Sequence, residues 1–451
     1  MRRTHDAGPA PPLTRRVHHS LTGDARDFDP LLELIGSAHI VLLGEASHGT
    51  HEFYRIRGEI TKRLIREKGF TAVAVEADWP DAYRVNRYVR GGLDDADATE
   101  ALGGFSRFPQ WMWRNADVLD FIGWLREHND QVAHEVGKTG FYGLDLYSLH
   151  ASMGAVLEYL HVVDPAAAAR ARDRYACFDH FGGDPQIYGR ATTLGLSPSC
   201  EREVLRQLVE LRASAAEYAR RDGRVAADAR FFAEQNAQVV ANAESYYREM
   251  FRSRVGSWNI RDSHMAETLA TLRRFLETQG TGSRVVVWAH NSHLGDARAT
   301  EMGGQGEHNV GQLVRQRHAT NAVLVGFTTF DGTVTAARDW DAPAERRRVR
   351  PALEGSYEAL LHETVGGNAF LDLRTPGGAR ELLSGPRLER AIGVIYRPES
   401  ERASHYFMAR LPQQFDAVLH YDHTRAVEPL ARTALWVRGE AEPPETWPFE
   451  V

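Results

Sequence analysis

The chain has 451 residues, 54 Lys and Arg against 61 Asp and Glu, a net charge of -7, 43% hydrophobic residues and a mean hydropathy of -0.43. Those values describe an ordinary globular protein with enough chain for a large core, and the acidic balance argues against nucleic acid as a partner. No run approaches the ~18 apolar residues that cross a bilayer, so no membrane partner is expected.

In chain order, residues 1–23 read as a flexible lead-in. Arg2, Arg3, Pro9, Pro11, Pro12, Arg15 and Arg16 give it charge and proline but no apolar signal segment, which places the protein in the cytoplasm. Residues 24–147 form a first α/β part. His39–Gly44 is an apolar strand, a helix follows from about Thr50 to Lys68 with Phe53, Ile56, Ile60 and Leu64 on one face, and Thr71–Val75 is the next strand. Pro80 suits the first turn of another helix, and Gly140–Asp145 is a third strand. Residues 148–256 carry helical periodicity and almost no strand signal, as expected of a helical insertion. Strand character returns in a second α/β part, 257–433, at Arg284–Ala289, Ala322–Phe327, Ile392–Tyr396 and Ala417–His420. Residues 434–451, with Pro443, Pro444 and Pro448, read as an irregular tail. The class is α/β: a mostly parallel sheet flanked by helices, with the helical insertion over an active-site cleft beyond the strands' carboxyl ends.

Four strand tips carry groups that packing does not ask for. Val41-Leu42-Leu43-Gly44 runs into Glu45-Ala46-Ser47-His48-Gly49, Val75 into Glu76 and Asp78, Leu144 into Asp145, and Trp288-Ala289 into His290-Asn291-Ser292-His293. An imidazole ordinarily titrates near ~6.5 and serves as a general base when a carboxylate holds it, which nominates His48 with Glu45 and Glu76. His290 and His293 could polarise a carbonyl or position water. Glu45, His48, Glu76, His290 and His293 also make a nitrogen and oxygen set open to zinc or manganese, but their spacing matches no metal signature, and no cofactor is the favoured expectation. Cys177 and Cys200 read as two ordinary thiols. Arg57, preferred over Arg55, could stabilise an oxyanion. Ser47 lacks the Gly-x-Ser-x-Gly setting of a nucleophile elbow, so attack by activated water is more economical than a covalent serine. Asp78 and His293 join the binding surface. Asn242 and Tyr246 share a helix face that could look into the cleft, and His405 precedes the last core strand. The aromatics Phe105, Phe108, Trp111, Trp113, Phe121 and Trp124 read first as core, and the run Arg346, Arg347, Arg348 and Arg350 as a solvated loop.

Together with Trp258-Asn259-Ile260-Arg261-Asp262 and the closing stretch from Gln414 to Pro429, these motifs resemble the erythromycin esterase family, over about Asp24 to Leu430. The closing stretch looks most like a subgroup of uncharacterised bacterial homologues. The resemblance implies an α/β core with a helical portion over a deep cleft. It also implies a metal-independent or variably metal-sensitive hydrolase in which His48 activates water to open a macrolactone ester. Its supporting residues would match Glu45, Arg57, Glu76, His290 and His293. The leading expectation is therefore an esterase-like hydrolase of a small molecule, with macrolide hydrolysis a narrower inference than membership. A metal-dependent hydrolase of a peptide or phosphorylated compound and a non-catalytic binding protein are the two rivals. Oligomeric state is left open.

Overall fold

A computed structural model describes residues 18–92, 94–133, 137–222 and 225–439. Its strands are β1 (His19–Ser20), β2 (Ile40–Leu43), β3 (Ala72–Asp78), β4 (Gly140–Asp145), β5 (Val285–Trp288), β6 (Ala322–Ala336), β7 (Glu345–Val349), β8 (Ala369–Asp372), β9 (Arg387–Arg390), β10 (Tyr406–Ala409) and β11 (Ala417–Thr424). Nine of them make one sheet in the order β1-β8-β11-β6-β2-β5-β3-β4, with β7 paired to the far end of β6, while β9 and β10 form a separate antiparallel pair. The strands from β11 to β4 run parallel, and β8 joins antiparallel to β11.

Why these runs form buried strands is visible in their alternation. Val41, Leu43, Val73, Val75, Val286 and Trp288 point to one face, where they meet Phe53, Ile60 and Leu64 of helix His51–Lys68 together with Phe121 and Leu125. Ile40, Leu42, Ala72, Ala74, Val285 and Val287 point to the other, against Met265, Leu269, Leu272 and Leu276 of helix Arg254–Gln279. Side chains alternate with period two, so a strand covered by helices on both faces must be apolar throughout, as β2, β3 and β5 are.

The long helical stretch includes helices Leu149–Val163, Pro165–Tyr175, Pro185–Thr193, Glu201–Asp222 and Val225–Met250, which share a core of their own around Leu149, Val156, Tyr188, Leu208 and Val240. Cys177 and Cys200 are joined there by a disulfide, Cα to Cα 6.0 Å, which corrects the expectation of two ordinary thiols. Closing a loop of 23 residues' separation stabilises a fold by about 3 kcal/mol, and reduction should lower the urea midpoint correspondingly. An unchanged midpoint in reductant would sink this expectation.

The expected strand Ile392–Tyr396 does not form. Ile392 and Ile395 make only isolated bridges, to Ser47 and Ala337, because the run changes partner midway, Ile392 bonding Ala46 and His48 while Val394 and Tyr396 bond Ala337. Of the stretch read as an irregular tail, Ala434–Arg438 is a short helix capped by Thr433, and 440–451 lie outside the described residues. Of the lead-in, 1–17 lie outside them, whereas His19 and Ser20 pair with Phe370 and Ala369. Among the described residues no helix is long and apolar enough to cross a membrane.

Candidate active site

Register brings the decorated tips together. Leu43 and Val75 both stand beside Trp288, and Val75 stands beside Gly143, so the chains leaving β2, β5, β3 and β4 emerge as consecutive neighbours along one edge. Close backbone approach fixes the first tip. A Cβ at Gly44 would sit 2.1 Å from Asn291 Oδ1, and one at Gly49 would sit 1.8 Å from the Thr335 carbonyl, so both turns require glycine. Asn291 completes the junction: its N–H donates to the Glu45 carbonyl (2.8 Å) and its side-chain amide to the Phe327 carbonyl (2.7 Å).

Beyond these tips lies a cavity of about 420 Å³, lined by His48, Glu76, Asp78, Asp81, Asp145, Arg261, His290 and His293 on its polar side. Phe105, Phe108, Met112, Trp113, Trp258 and Phe407 give it a broad apolar wall. The aromatic stretch read as core is thus divided. Phe121 and Trp124 pack on the helices, whereas Phe105, Phe108 and Trp113 also face the cavity.

His48 is held from behind. Its Nδ1–H donates to Glu45 Oε1 at 2.9 Å, and Glu45 Oε2 lies 2.6 Å from Arg57 Nη2, an ion-pair contact that lacks hydrogen-bond alignment. Arg57 is fully buried, stacked 4.5 Å over Tyr54 and 5.3 Å from the Trp288 ring, so it backs Glu45 and does not reach the cavity. The Tyr54 hydroxyl donates to the His48 carbonyl (3.0 Å). This arrangement leaves His48 Nε2 as the free nitrogen, 4.0 Å from Glu76 Oε1.

Glu76 is the hub of the polar wall. Its Oε1 accepts from Arg261 Nη2 (2.7 Å) and lies 3.3 Å from His293 Nε2, while Oε2 accepts from the His290 backbone N–H (2.9 Å). Burial opposes its charge, but His293, His48 and Arg261 outweigh that and hold the carboxyl well below its ordinary range. Arg261 also grips Asp145 through Nε (3.0 Å) and Nη2 (2.7 Å) and lies 4.8 Å over the Tyr147 ring. His293 pairs through Nδ1 with Asp262 (2.9 Å) and stacks flat on Trp258. Burial lowers its pKa, yet Asp262 and Glu76 prevail and lift it to about 9; Arg261 Nη1, 2.9 Å from Nε2, is the neighbour opposing that charge. His290 differs. Burial and then the neighbouring His48 push it down to about 3, so it stays neutral. The Ser292 N–H donates to its Nδ1 (3.2 Å), which puts its proton on Nε2, a buried atom with no aligned partner, in a ring 4.9 Å from that of His48.

The remaining expected residues divide between the cavity and other places. Asp78 lines the cavity, with Oδ2 accepting from Arg107 (3.0 Å) and burial raising its pKa. Tyr246 stands behind the wall, its hydroxyl 3.2 Å from that of Tyr147. Asn242 contacts His264 within the helices (2.8 Å), and His405 accepts from the Arg397 N–H (3.1 Å) at a site apart from the cavity. Arg348 and Arg350 are exposed, as a solvated run requires, but Arg347 is buried. Among the described residues no group of three or more His, Cys, Asp or Glu side chains is arranged to hold a metal ion. The Arg261 guanidinium itself fills the space between Glu76, Asp145 and His293.

A family model described as erythromycin esterase matches residues 65–424. The chain belongs to the erythromycin esterase family. That span excludes Glu45 and His48, which are tied to the family's other motifs here by their geometry. Among its relatives, erythromycin esterase type II of Escherichia coli is 23% identical over 84% of this chain and 90% of that protein, and the putative hydrolase YbfO of Bacillus subtilis is 20% identical over 88% and 86%. Crystal structures with this fold include a succinoglycan biosynthesis protein (21% identity, TM-score 0.73, 92% and 96% of the two chains). A histidine mutant of the erythromycin esterase EreC in its open conformation also shares it (19%, 0.66, 91% and 96%).

Residue-level reading of the sequence missed Arg261, Asp262, Arg107 and Asp81. The signal for the first two was helical spacing: Trp258, Arg261, Asp262 and Met265 fall on one stripe of helix Arg254–Gln279, and a charged pair in line with an apolar position must find buried partners. Among the described residues no cation lies within ion-pair distance of Asp81. Burial and then Asp78 raise it to about 7. Its folded pKa lies above its unfolded one, so the native state binds the extra proton, and stability falls as pH rises from about 4 through 7. Asp81→Asn should therefore stabilise the protein at pH ~8 with the gain vanishing toward pH ~4, as thermal melts across that range would report; a gain equal at both ends would refute it.

Proposed function

We propose that this chain is a carboxylic ester hydrolase in which His48 is the general base and water the nucleophile, with macrolactones among its substrates. One observation carries the reading: a cavity-facing imidazole whose Nδ1 is committed to a buried carboxylate, leaving Nε2 to take a proton. As water attacks the ester carbonyl, its proton passes to His48 Nε2, and Glu45 on one side and Glu76 on the other stabilise the imidazolium. The neutral His290 ring lines the cavity beside His48 and shapes the space in which the tetrahedral intermediate forms. The proton on His48 then moves to the departing alkoxide. Arg57, in place of meeting the oxyanion, pairs with Glu45 from behind.

The apolar wall fits a bulky substrate whose reacting ester is its polar point, and erythromycin esterases among the relatives make macrolactones the first esters to try. Arg261 already supplies positive charge where a divalent ion would be needed, which supports water activation by His48 over a metal-assisted route. Purified protein should convert members of a macrolide and simple-ester panel, followed by mass spectrometry. In H₂¹⁸O the label should enter the acid product in a single turnover without a trapped acyl-enzyme. A covalent adduct on denaturation would overturn the mechanism, and no turnover on any ester would overturn the reading.

A further inference from the structure

Apolar side chains scattered singly over a surface call for no account, but one that continues the wall of a reaction cavity does. Of the large apolar side chains that stand exposed among the described residues, only Trp340 lines the catalytic cavity. Its ring is 49% exposed, and its indole N–H has no hydrogen-bond partner among those residues. A column of rings runs inward from it. Trp340 lies 4.9 Å from Phe108, centroid to centroid, and Phe108 stands edge-on to the buried Trp111 at 5.5 Å. Phe105, Met112 and Trp113 continue the apolar lining, and Trp113 meets Tyr54, the ring whose hydroxyl holds the His48 carbonyl.

The exposure does not come from a slack loop. Trp340 sits between β6 and β7 in a turn held on both sides: the Ala337 N–H donates to the Val394 carbonyl (2.9 Å), the Tyr396 N–H to the Ala337 carbonyl (3.1 Å) and the Ala342 N–H to the Asp339 carbonyl (3.2 Å). The Trp340 N–H is itself taken by Asp339 Oδ1 (2.9 Å), and the same carboxylate oxygen pairs with Arg397 (3.1 Å). A backbone so pinned presents the ring at the mouth before anything binds, and an indole has only two torsions left to fix.

We propose that Trp340 is a specificity-determining residue whose ring packs on the part of a bulky ester that stays outside the cavity, while the reacting carbonyl reaches His48. The inference rests on the reading of this cavity as that of an ester hydrolase. It narrows the substrate class to esters with a broad apolar body, since a small ester held at His48 does not extend past Phe108 to cover the ring. Covering the open half of an indole that buries ~150–250 Å² in full is worth roughly ten- to hundredfold in affinity.

The test is calorimetric titration of erythromycin, the macrolactone of the family's name, into the full chain carrying His48→Asn, so that binding is read without turnover. Saturable binding is expected. Adding Trp340→Ala should weaken it roughly ten- to hundredfold, and Trp340→Phe, which keeps an aromatic face, should recover most of the loss. With His48 intact, Trp340→Ala should lower the ratio of kcat/KM for erythromycin to that for p-nitrophenyl acetate by a similar factor, carried by KM. No saturable binding, or a Kd and a ratio that Trp340→Ala leaves within about threefold, would overturn the assignment. A dimer in sedimentation that Trp340→Ala dissolves would give the ring to a second copy of the chain and overturn it too. The two readings fail separately: binding that Trp340→Ala weakens, with no turnover of any ester, would sink hydrolysis and keep the platform, whereas turnover of p-nitrophenyl acetate without erythromycin binding would do the reverse.

Discussion

His48→Asn should lower the turnover number by about 10²–10⁴ while leaving the folded state intact. Asparagine keeps a donor that can reach Glu45 Oε1, so the hydrogen bond behind the ring survives approximately, and only the basic nitrogen facing the cavity is lost. His48 is 8% exposed and makes no other side-chain hydrogen bond, so stability should change by about 1 kcal/mol or less. The contrast with Glu45→Gln is informative. That substitution leaves the base in place but removes the carboxylate that stabilises its protonated form, and it leaves the buried Arg57 without its counter-ion. It should therefore damage both rate and stability, whereas His48→Asn damages rate alone. Paired measurements of kcat and urea midpoint separate the two. A His48→Asn protein within tenfold of wild-type turnover would remove His48 from the base role.

The parallel core and its edge of charged strand tips were legible because both are written in local pattern. Strands buried on two faces must be continuous apolar runs, and a run that stops in Glu45, Glu76, Asp145 or His290 marks a break in that demand. Long-range pairing was not legible. β8 takes its partners from β1 and β11, distant in the chain, and Ile392–Tyr396 has strand composition but changes partner midway, from Ala46 and His48 to Ala337. The same limit applies to side chains. Asn242 and Tyr246 lie four apart on one helix, yet only Tyr246 comes near the cavity, through Tyr147, because the docking of the helical part decides which end of that stripe looks inward. Helical spacing puts Arg57 on a different face from Phe53 and Ile60, which by itself points to solvent. It is buried because its partner, Glu45, comes from a strand tip and not from its own helix.

Arg261→Met should cost about 3–5 kcal/mol of stability, a large part of the roughly 5–15 kcal/mol that holds a domain folded. Methionine fills much of the volume against Tyr147, so the loss is electrostatic. Glu76 and Asp145, with side chains 3% and 5% exposed, would remain in the interior without the cation that both of them face. A buried pair contributes little net stability when intact, but removing one member leaves the other's desolvation unopposed. Arg261→Lys should recover only part of the loss, because one ammonium cannot reach Glu76 Oε1, Asp145 Oδ1 and Asp145 Oδ2 as the fork does. The sign with pH is fixed by the carboxylates. Both have folded pKa values below their ordinary 4.5 and 3.8, so the stability they contribute is present above those values and lost as pH falls through the depressed ones. The deficit of Arg261→Met should accordingly be greatest near neutrality and shrink in acid, where the stranded carboxyls protonate. Adding Asp145→Asn should restore part of the stability, a non-additive coupling that a double-mutant cycle in urea would measure. A loss of under about 1 kcal/mol, equal at neutral and acid pH and additive with Asp145→Asn, would show that Arg261 does not hold the hub together, and the fixed position of Glu76 opposite His48 would need another cause.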